Sequence, residues 1–431
     1  MNYQETIQYL FTSAPLFQQV GGAAYKEGLS TTEALDRHFG HPHRSYRTIH
    51  VAGTNGKGST AHTLAAMLQH HGYSVGLYTS PHLVDFRERI RVNGEMVPEA
   101  FVVDFVECHR TFFEPLHPSF FELTTALAFH YFATCHVDVA VIEVGLGGRL
   151  DCTNIIRPEL SVITNISFDH TQFLGHTLEA IASEKAGIIK HGVPVVIGET
   201  TAETRPVFLH KAETEEAPIT FADEQGEILD TWLTDDHLRH YTTRHWGAFD
   251  AQLTGECQVK NAATILAAAE VMRTGFGITA EDVRHAFRHV CTDTGLTGRW
   301  QTLSTHPTVV CDTGHNLGGW TYLAHQLKEA AGKHKCLRVV FGMAADKDID
   351  HVVSLLPAEG TYYWARASVH RALDEGSVKA VGDRYGLHGT AYPTVAEAYE
   401  AAMLDASEGD FVYVGGSSFV VADLLCHLRQ E

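Results

Sequence analysis

Short apolar runs alternate with stretches whose apolar residues fall at helical spacing. "YRTIHVAG", "YSVGLYTS", "VDVAVIEVG", "ELSVITNIS" and "VPVVIGE" predict buried strands. "STAHTLAAMLQHHG", "ELTTALAFHYFATCH", "TLEAIASEKAGIIK" and "QVKNAATILAAAEVMRTG" predict helices. Such alternation gives a mostly parallel sheet with helices on both faces. Residues 1–45 read as helical and irregular, with a polar turn at "FGHPHRS". Residues 200–250 are polar, acidic and weakly patterned, and read as small strands and loops closing a first domain. The Gly- and Thr-rich "TDTGLTGRWQ" follows, with a candidate hinge near Gly295. The alternation then restarts in "PTVVCDTGHN", "LRVVFGMAADKD", "GTYYWARAS" and "DFVYVGGSSFVVADLL". The expectation is an α/β chain: a P-loop ATPase-like, mostly parallel domain over residues 1–296, then a smaller Rossmann-like α/β domain over 297–431. No internal repeat or low-complexity tract interrupts it.

Composition narrows the partners. The chain has 431 residues, 44% of them apolar, with 32 basic against 52 acidic side chains, a formal charge of −20. That balance argues against a nucleic-acid or anionic-membrane partner, and it makes the few cations near glycine turns more informative. The eight cysteines include no C-x-x-C pair, which suits a reducing compartment and no structural zinc. The N-terminus lacks a basic segment followed by a long apolar run, and no stretch is apolar enough to span a bilayer. A cytoplasmic protein is expected. With 29 histidines, any single one is a weak candidate ligand.

Four segments carry candidate chemistry. "HVAGTNGKGST" places glycines and a lysine between a strand and a helix, where backbone N–H groups converge on an anion. Lys57 would reach the β- and γ-phosphates of a nucleotide, while Gly53, Gly56 and Gly58 let the backbone approach, with Thr54, Asn55 and Ser59 completing the loop. The common pattern has a hydroxyl directly after the lysine to hold Mg²⁺. Here that position is Gly58. "VGLYTSPHL" offers a replacement, because ligands in open parallel sheets sit at the carboxyl ends of strands, where Thr79 and Ser80 fall. In "VIEVGLGGRLD", Glu143 ends an apolar strand, which requires either a metal or a buried partner such as Arg149. In "ITNISFDHTQFLGHTLEAIASEKAGIIK", a strand is expected to end near Ser167. Asp169 and His170 would lie at its tip, Thr177 would cap a helix, and Lys185 would lie on that helix. Residue chemistry alone does not single out His170 or Lys185.

These segments, with "GRWQ", "DTGHN" and "DKD", occur in an order that resembles folylpolyglutamate synthase/dihydrofolate synthase, within the Mur ligase superfamily of ATP-dependent amide-forming enzymes. The resemblance covers nearly the whole chain and is most specific over residues 141–190. It implies a first Mg²⁺ site on Ser80 and Glu143, and a second on Glu143, His170 and a carbamylated Lys185. It implies catalytic roles for Lys57, His170 and Lys185. Its ATP contacts would be Gly53–Ser59, Asn261, Arg299, Asp312 and His315. Its folate contacts would include Pro81, His82, Arg89 and Phe121, beside Phe120 and Glu122. The implied reaction forms an acyl phosphate from ATP and a dihydropteroate or reduced folate carboxylate, and the amine of L-glutamate then attacks it. The implied enzyme acts as a monomer, with closure about the hinge gating the reaction. The chain departs from the family pattern in having "DTGHNL" for D-G-A-H-N-P, and Cys257 where a histidine often precedes the glutamine of Q-x-x-N. Two other functions compete. A cell-wall Mur-type amide ligase should carry about one hundred further residues before the glycine loop. A P-loop ATPase switch would release phosphate without any amine acceptor.

Overall fold

The computed structural model describes residues 1–13 and 28–429. The chain divides into two compact units. One comprises the described residues of Met1–Gln252 with Gln258–Leu296, and the other Leu253–Cys257 with the described residues of Thr297–Glu431. The main crossing falls beside Gly295, which ends the helix Ala280–Thr294 in the left-handed conformation, at φ 69°. The five residues Leu253–Cys257 are a second crossing that no composition change announces.

The first unit is built on strands β1 (Arg47–Ala52), β2 (Val75–Tyr78), β3 (Ile90–Val92), β4 (Glu95–Met96), β5 (Val139–Glu143), β6 (Leu160–Ile163), β7 (Val195–Ile197) and β8 (Ile219–Phe221). They form one sheet in the order β4-β3-β2-β5-β1-β6-β7-β8. From β2 to β8 every neighbouring pair is parallel, and β3 and β4 add an antiparallel edge. The central strands are buried along almost their whole length, as expected when helices cover both faces. One face packs on the helices Lys57–His71, Cys257–Phe276 and Ala280–Thr294. The other packs on Glu99–Phe113 and Phe120–Thr134, and on Leu178–Ala186 and Arg205–Thr214.

Two sequence expectations are corrected here. The strand expected to reach Ser167 ends at Ile163. Beyond it, the backbone leaves the strand ladder to hydrogen-bond the glycine loop, while Ile166 is buried in the apolar cluster that includes Ile181, Ala182 and Ala186. The region 200–250 holds a ten-residue helix, Arg205–Thr214, as well as small strands. Its apolar signal is faint, because only Phe208 and Ala212 are buried, four residues apart on one face. Of the N-terminal stretch, Tyr3–Ser13 and Ser30–His38 are helices, and residues 14–27 lie outside the described residues. A separate antiparallel sheet, in the order β11-β10-β9, joins β9 (Ile228–Leu233), β10 (Arg239–Thr243) and β11 (Ala248–Ala251).

The second unit has its own sheet, of β12 (Gln301–Thr305), β13 (Thr308–Asp312), β14 (Leu337–Phe341), β15 (Thr361–Ala365), β16 (Gly389–Tyr392) and β17 (Phe411–Gly415). The order is β12-β13-β17-β14-β15-β16, parallel except for β12. Its core gathers Trp320, Phe341, Tyr362, Trp364 and Tyr413. Among the described residues, no helix is long and apolar enough to cross a membrane.

Candidate active site

Four neighbouring strands, β2, β5, β1 and β6, run parallel, and their carboxyl ends share one edge of the sheet. Ser80 follows β2, Glu143 ends β5, the glycine loop follows β1, and Asp169 and His170 lie beyond β6. Residues far apart in sequence therefore meet because consecutive strand positions in the sheet are not consecutive in the chain.

The loop Gly53–Gly56 enters the helix Lys57–His71 with Gly56 at the N-cap, φ 84°, and Gly53 at φ 145°. Both glycines are required by space as well as conformation. A Cβ at Gly53 would overlap the Thr164 hydroxyl, and one at Gly56 would overlap the Asn261 amide. The Lys57 ammonium folds back to donate to the Thr54 carbonyl at 3.1 Å. Behind the loop, the Thr54 N–H donates to the Asn165 carbonyl at 2.9 Å, and the Asn55 N–H to Asn165 Oδ1 at 2.9 Å. Asn261, on the helix Cys257–Phe276, donates to Gln258 Oε1 at 2.9 Å, and Gln258 Nε2 donates to Ser59 Oγ at 3.3 Å. Asn261 is thereby fixed against the loop within the first unit.

Glu143 is buried at the end of β5 and accepts from the Ser80 N–H at 3.1 Å, which links the two expected ligands of a first metal. The alternative partner Arg149 is turned elsewhere: it pairs with Glu184 at 2.8 Å, half-exposed. The following segment, residues 83–88, is gathered by one carboxylate. Glu88 accepts from the N–H groups of Leu83, Val84 and Asp85, at 2.7, 3.1 and 3.0 Å. Arg89 is buried, and loss of water draws its guanidinium down to about 10. Its Nε donates to His82 Nδ1 at 2.7 Å, and it lies 5.2 Å over the Phe120 ring. Burial and the Arg89 charge hold His82 well below its ordinary value. Its ring is therefore neutral, with Nδ1 an acceptor and the proton on Nε2. Phe121 packs against Gly145, where a Cβ would overlap its ring, and lies 5.8 Å from Tyr78.

Lys185 sits in the last turn of Leu178–Ala186, a helix capped by Thr177, whose hydroxyl accepts from the Ala180 N–H at 3.2 Å. Its ammonium is buried and donates to the Gly53 carbonyl at 2.9 Å, so the lysine expected at a second metal touches the glycine loop directly. Burial first, and then the Lys57 charge, lower it to about 7 against the smaller pull of Asp169 and Asp151. The lowered value favours the uncharged amine near neutral pH. The "GLGG" turn serves this approach. A Cβ at Gly148 would press on the Glu184 carbonyl and the Lys185 Cα, and one at Gly187 would overlap Arg149. Asn154 ties the two segments by donating to the Arg149 and Gly187 carbonyls at 3.0 and 3.1 Å. His170 begins the short helix Thr171–Leu174 at φ 49°, its N–H donating to Asp169 Oδ1 at 2.8 Å.

In the second unit, Asp312 ends β13 and accepts from the N–H groups of Trp300 and Gly314, at 2.6 and 2.7 Å. Desolvation raises its carboxyl, and the Arg299 charge opposes the rise. Arg299 donates to the Thr313 hydroxyl, which in turn donates to the Gly298 carbonyl at 3.1 Å. His315 Nδ1 lies 3.1 Å from the Thr313 carbonyl, and Asn316 caps the helix Leu317–Lys333. Arg299, Asp312 and His315 thus form one local group. The departure "DTGHN" is absorbed by two contacts: Thr313 binds Gly298, and Gly314 leaves room for Leu323. The sequence reading did not find Thr164, Asn165, Asn154 or Glu88, none of which carries a local pattern that announces its distant partner.

Known proteins share this architecture. Residues 51–269 match the Mur ligase middle domain, and residues 298–418 the Mur ligase glutamate ligase domain. These matches define the class: a Mur ligase. The dihydrofolate synthase/folylpolyglutamate synthase of Bacillus subtilis is 37% identical over 345 residues, covering 77% of this chain and 79% of that protein. A probable bifunctional folylpolyglutamate synthase/dihydropteroate synthase of Haloferax volcanii is 35% identical over 440 residues, covering 98% of this chain and 50% of that protein, so the chain spans half its length. A crystal structure of a bifunctional folylpolyglutamate synthase/dihydrofolate synthase, with Mn, AMPPNP and L-glutamate bound, superposes with a TM-score of 0.81 at 28% identity, over 100% of this chain and 98% of that one. The chain belongs to the folylpolyglutamate synthase/dihydrofolate synthase family, the ATP-dependent ligases that attach glutamate to folates.

Proposed function

We propose that the chain joins L-glutamate to the carboxylate of dihydropteroate and of reduced folates, working as a monomer in the cytoplasm. One observation supports this most: the glycine loop, Ser80, Glu143 and His170 follow four adjacent parallel strands, and the Lys185 ammonium reaches into the same loop. Related enzymes named for both folate activities favour it over a cell-wall ligase or an ATPase switch.

In this reading Lys57 and the backbone of Gly53–Ser59 bind the triphosphate, and Asn261 supports the loop from below. The acceptor's carboxylate oxygen attacks the γ-phosphorus as the bond to ADP breaks, giving an acyl phosphate. The glutamate amine, having lost its proton, attacks the acyl carbon, phosphate leaves, and an amide remains. The protein's share is positioning and charge neutralisation. Pro81, His82, Arg89 and Phe121 hold the acceptor: the ring for stacking, the guanidinium for its carboxylate, and His82 Nε2 as a donor. Arg299, Asp312 and His315 in the second unit contact the nucleotide.

The donors suit magnesium. Ser80 and Glu143 offer the oxygen ligands a hard cation requires, and Glu143 with His170 and Lys185 would hold a second ion. An ammonium cannot be a ligand, but an uncharged lysine amine adds CO₂ and loses a proton to become a carbamate, an oxygen donor. The lowered value of Lys185 favours that step. Magnesium bound there would neutralise charge on the phosphate oxygens. The test is ADP formation with glutamate plus, in turn, dihydropteroate, tetrahydrofolate or no acceptor. Acceptor-dependent turnover is expected, and equal rates in all three end the ligase reading.

A further inference from the structure

The peptide planes of the glycine loop do not all face the same way, and Thr164 is the side chain that marks the change. The 53–54 peptide directs its carbonyl to Lys185 and its N–H to the Asn165 carbonyl. The 54–55 peptide directs its carbonyl to Lys57 and its N–H to Asn165 Oδ1. Both N–H groups thus point back at the segment that follows β6. The 55–56 peptide is reversed. Its carbonyl accepts from the buried Thr164 hydroxyl at 2.5 Å, on that same segment. The peptide is trans, so its N–H points the opposite way from its carbonyl. Gly56, at φ 84°, accommodates the reversal, and Gly53 leaves room for the hydroxyl that imposes it.

We propose that Thr164 is a positioning residue that holds the Asn55–Gly56 peptide flipped, so that the Gly56 N–H faces the nucleotide phosphates. This rests on the nucleotide-binding reading of the loop. The N–H groups of Thr54 and Asn55 are committed to Asn165, so the anion contacts begin at Gly56 and continue into the first turn of the helix. Thr164 acts through the backbone: its hydroxyl donates to the Asn55 carbonyl at 2.5 Å, with the Ala52 carbonyl at the end of β1 a more distant acceptor at 3.4 Å.

Two measurements test it on the full chain. The sequence contains two Asn-Gly pairs, 55–56 and 93–94, so protein labelled with carbonyl-¹³C asparagine and ¹⁵N glycine gives two selected amide signals, Gly56 and Gly94. ADP should move the Gly56 amide strongly downfield and leave Gly94 in place. A Gly56 signal unmoved by saturating ADP overturns the proposal. ADP that fails to bind the wild-type protein at all, read by calorimetry, sinks the underlying nucleotide reading instead. In kinetics, Thr164→Val, which keeps the shape and removes the hydroxyl, should raise the KM for ATP about tenfold, as the loss of one orienting hydrogen bond does. The KM for glutamate should hold, and Thr164→Ser should restore the ATP value to within about twofold. Equal losses in both variants, or an unchanged KM for ATP in Thr164→Val, would show a packing role only. If Thr164→Val does not fold, the Gly56 amide of the wild-type protein still decides.

Discussion

Lys185, on a helix of the first unit, and Asp312, at a strand end of the second, meet the same difficulty, an ionisable group shut away from water, and resolve it differently. Loss of water pushes each toward its neutral form, the lysine down and the aspartate up. Asp312 is answered by folding itself: two backbone N–H groups and the nearby Arg299 charge support its carboxylate. Lys185 receives a carbonyl contact but also faces the like charge of Lys57, so its value stays lowered to about 7. The two groups differ here by what surrounds them more than by how deeply they sit.

The largest test of this contrast is Lys185→Ala, expected to lower ligation more than about 10³-fold if the carbamate is essential. Lys185→Arg should not restore it, because a guanidinium cannot add CO₂. Wild-type ADP formation in the alanine variant would erase the distinction. Asp312→Asn should fall less, with kcat/KM for ATP reduced by about 10–100-fold, the range for loss of one hydrogen bond to a charged group. A drop as deep as that of Lys185→Ala would place the two residues on equal footing.

Acidity gives the next test. The folded value of Lys185 is lowered to about 7, so the neutral amine grows steeply through that pH and is nearly complete one unit above it. Enzyme stripped of CO₂ and then given a fixed concentration of CO₂ should regain activity about tenfold faster at pH 8 than at pH 6, and level off beyond. An ordinary lysine would keep accelerating to about pH 10. The same shift carries a stability cost. Between pH 7 and about 10 the unfolded lysine binds its proton and the folded one does not, so stability rises with pH across that window and the penalty is full below pH 7. Lys185→Met should therefore raise the melting temperature by a few degrees at pH 7, an advantage that shrinks toward pH 10. A lower melting temperature at pH 7 would mean that the carbonyl contact outweighs burial. The smallest effect is expected at Arg149. Its half-exposed pair with Glu184 should be worth at most about 1 kcal/mol in urea unfolding of Arg149→Ala.

The parts legible in the sequence were those whose meaning is local. A strand, glycines, a lysine and a helix lie within a dozen positions, and the apolar runs read as buried parallel strands because both faces are covered. Glu143 was readable because a carboxylate at the end of an apolar run demands an explanation. His170 and Lys185 had no such signal; only the family resemblance singled them out. Thr164, Asn165 and Asn154 were not readable, since each acts on backbone carbonyls or N–H groups brought near by sheet order. Nothing in the local sequence of Gly145, Gly148 and Gly187 shows why glycine is needed there. Their use is to let Phe121 and the Lys185 helix come close, and that depends on partners elsewhere in the chain.

Glu88 carries a last consequence. With one carboxylate already gathering Leu83, Val84 and Asp85, the stretch beside Pro81 and His82 keeps its shape before any acceptor arrives. The loss of chain entropy then falls once, during folding, instead of recurring at each turnover. An incoming pterin would meet a rigid wall, and its affinity would reflect contacts made with little subtracted for ordering the loop.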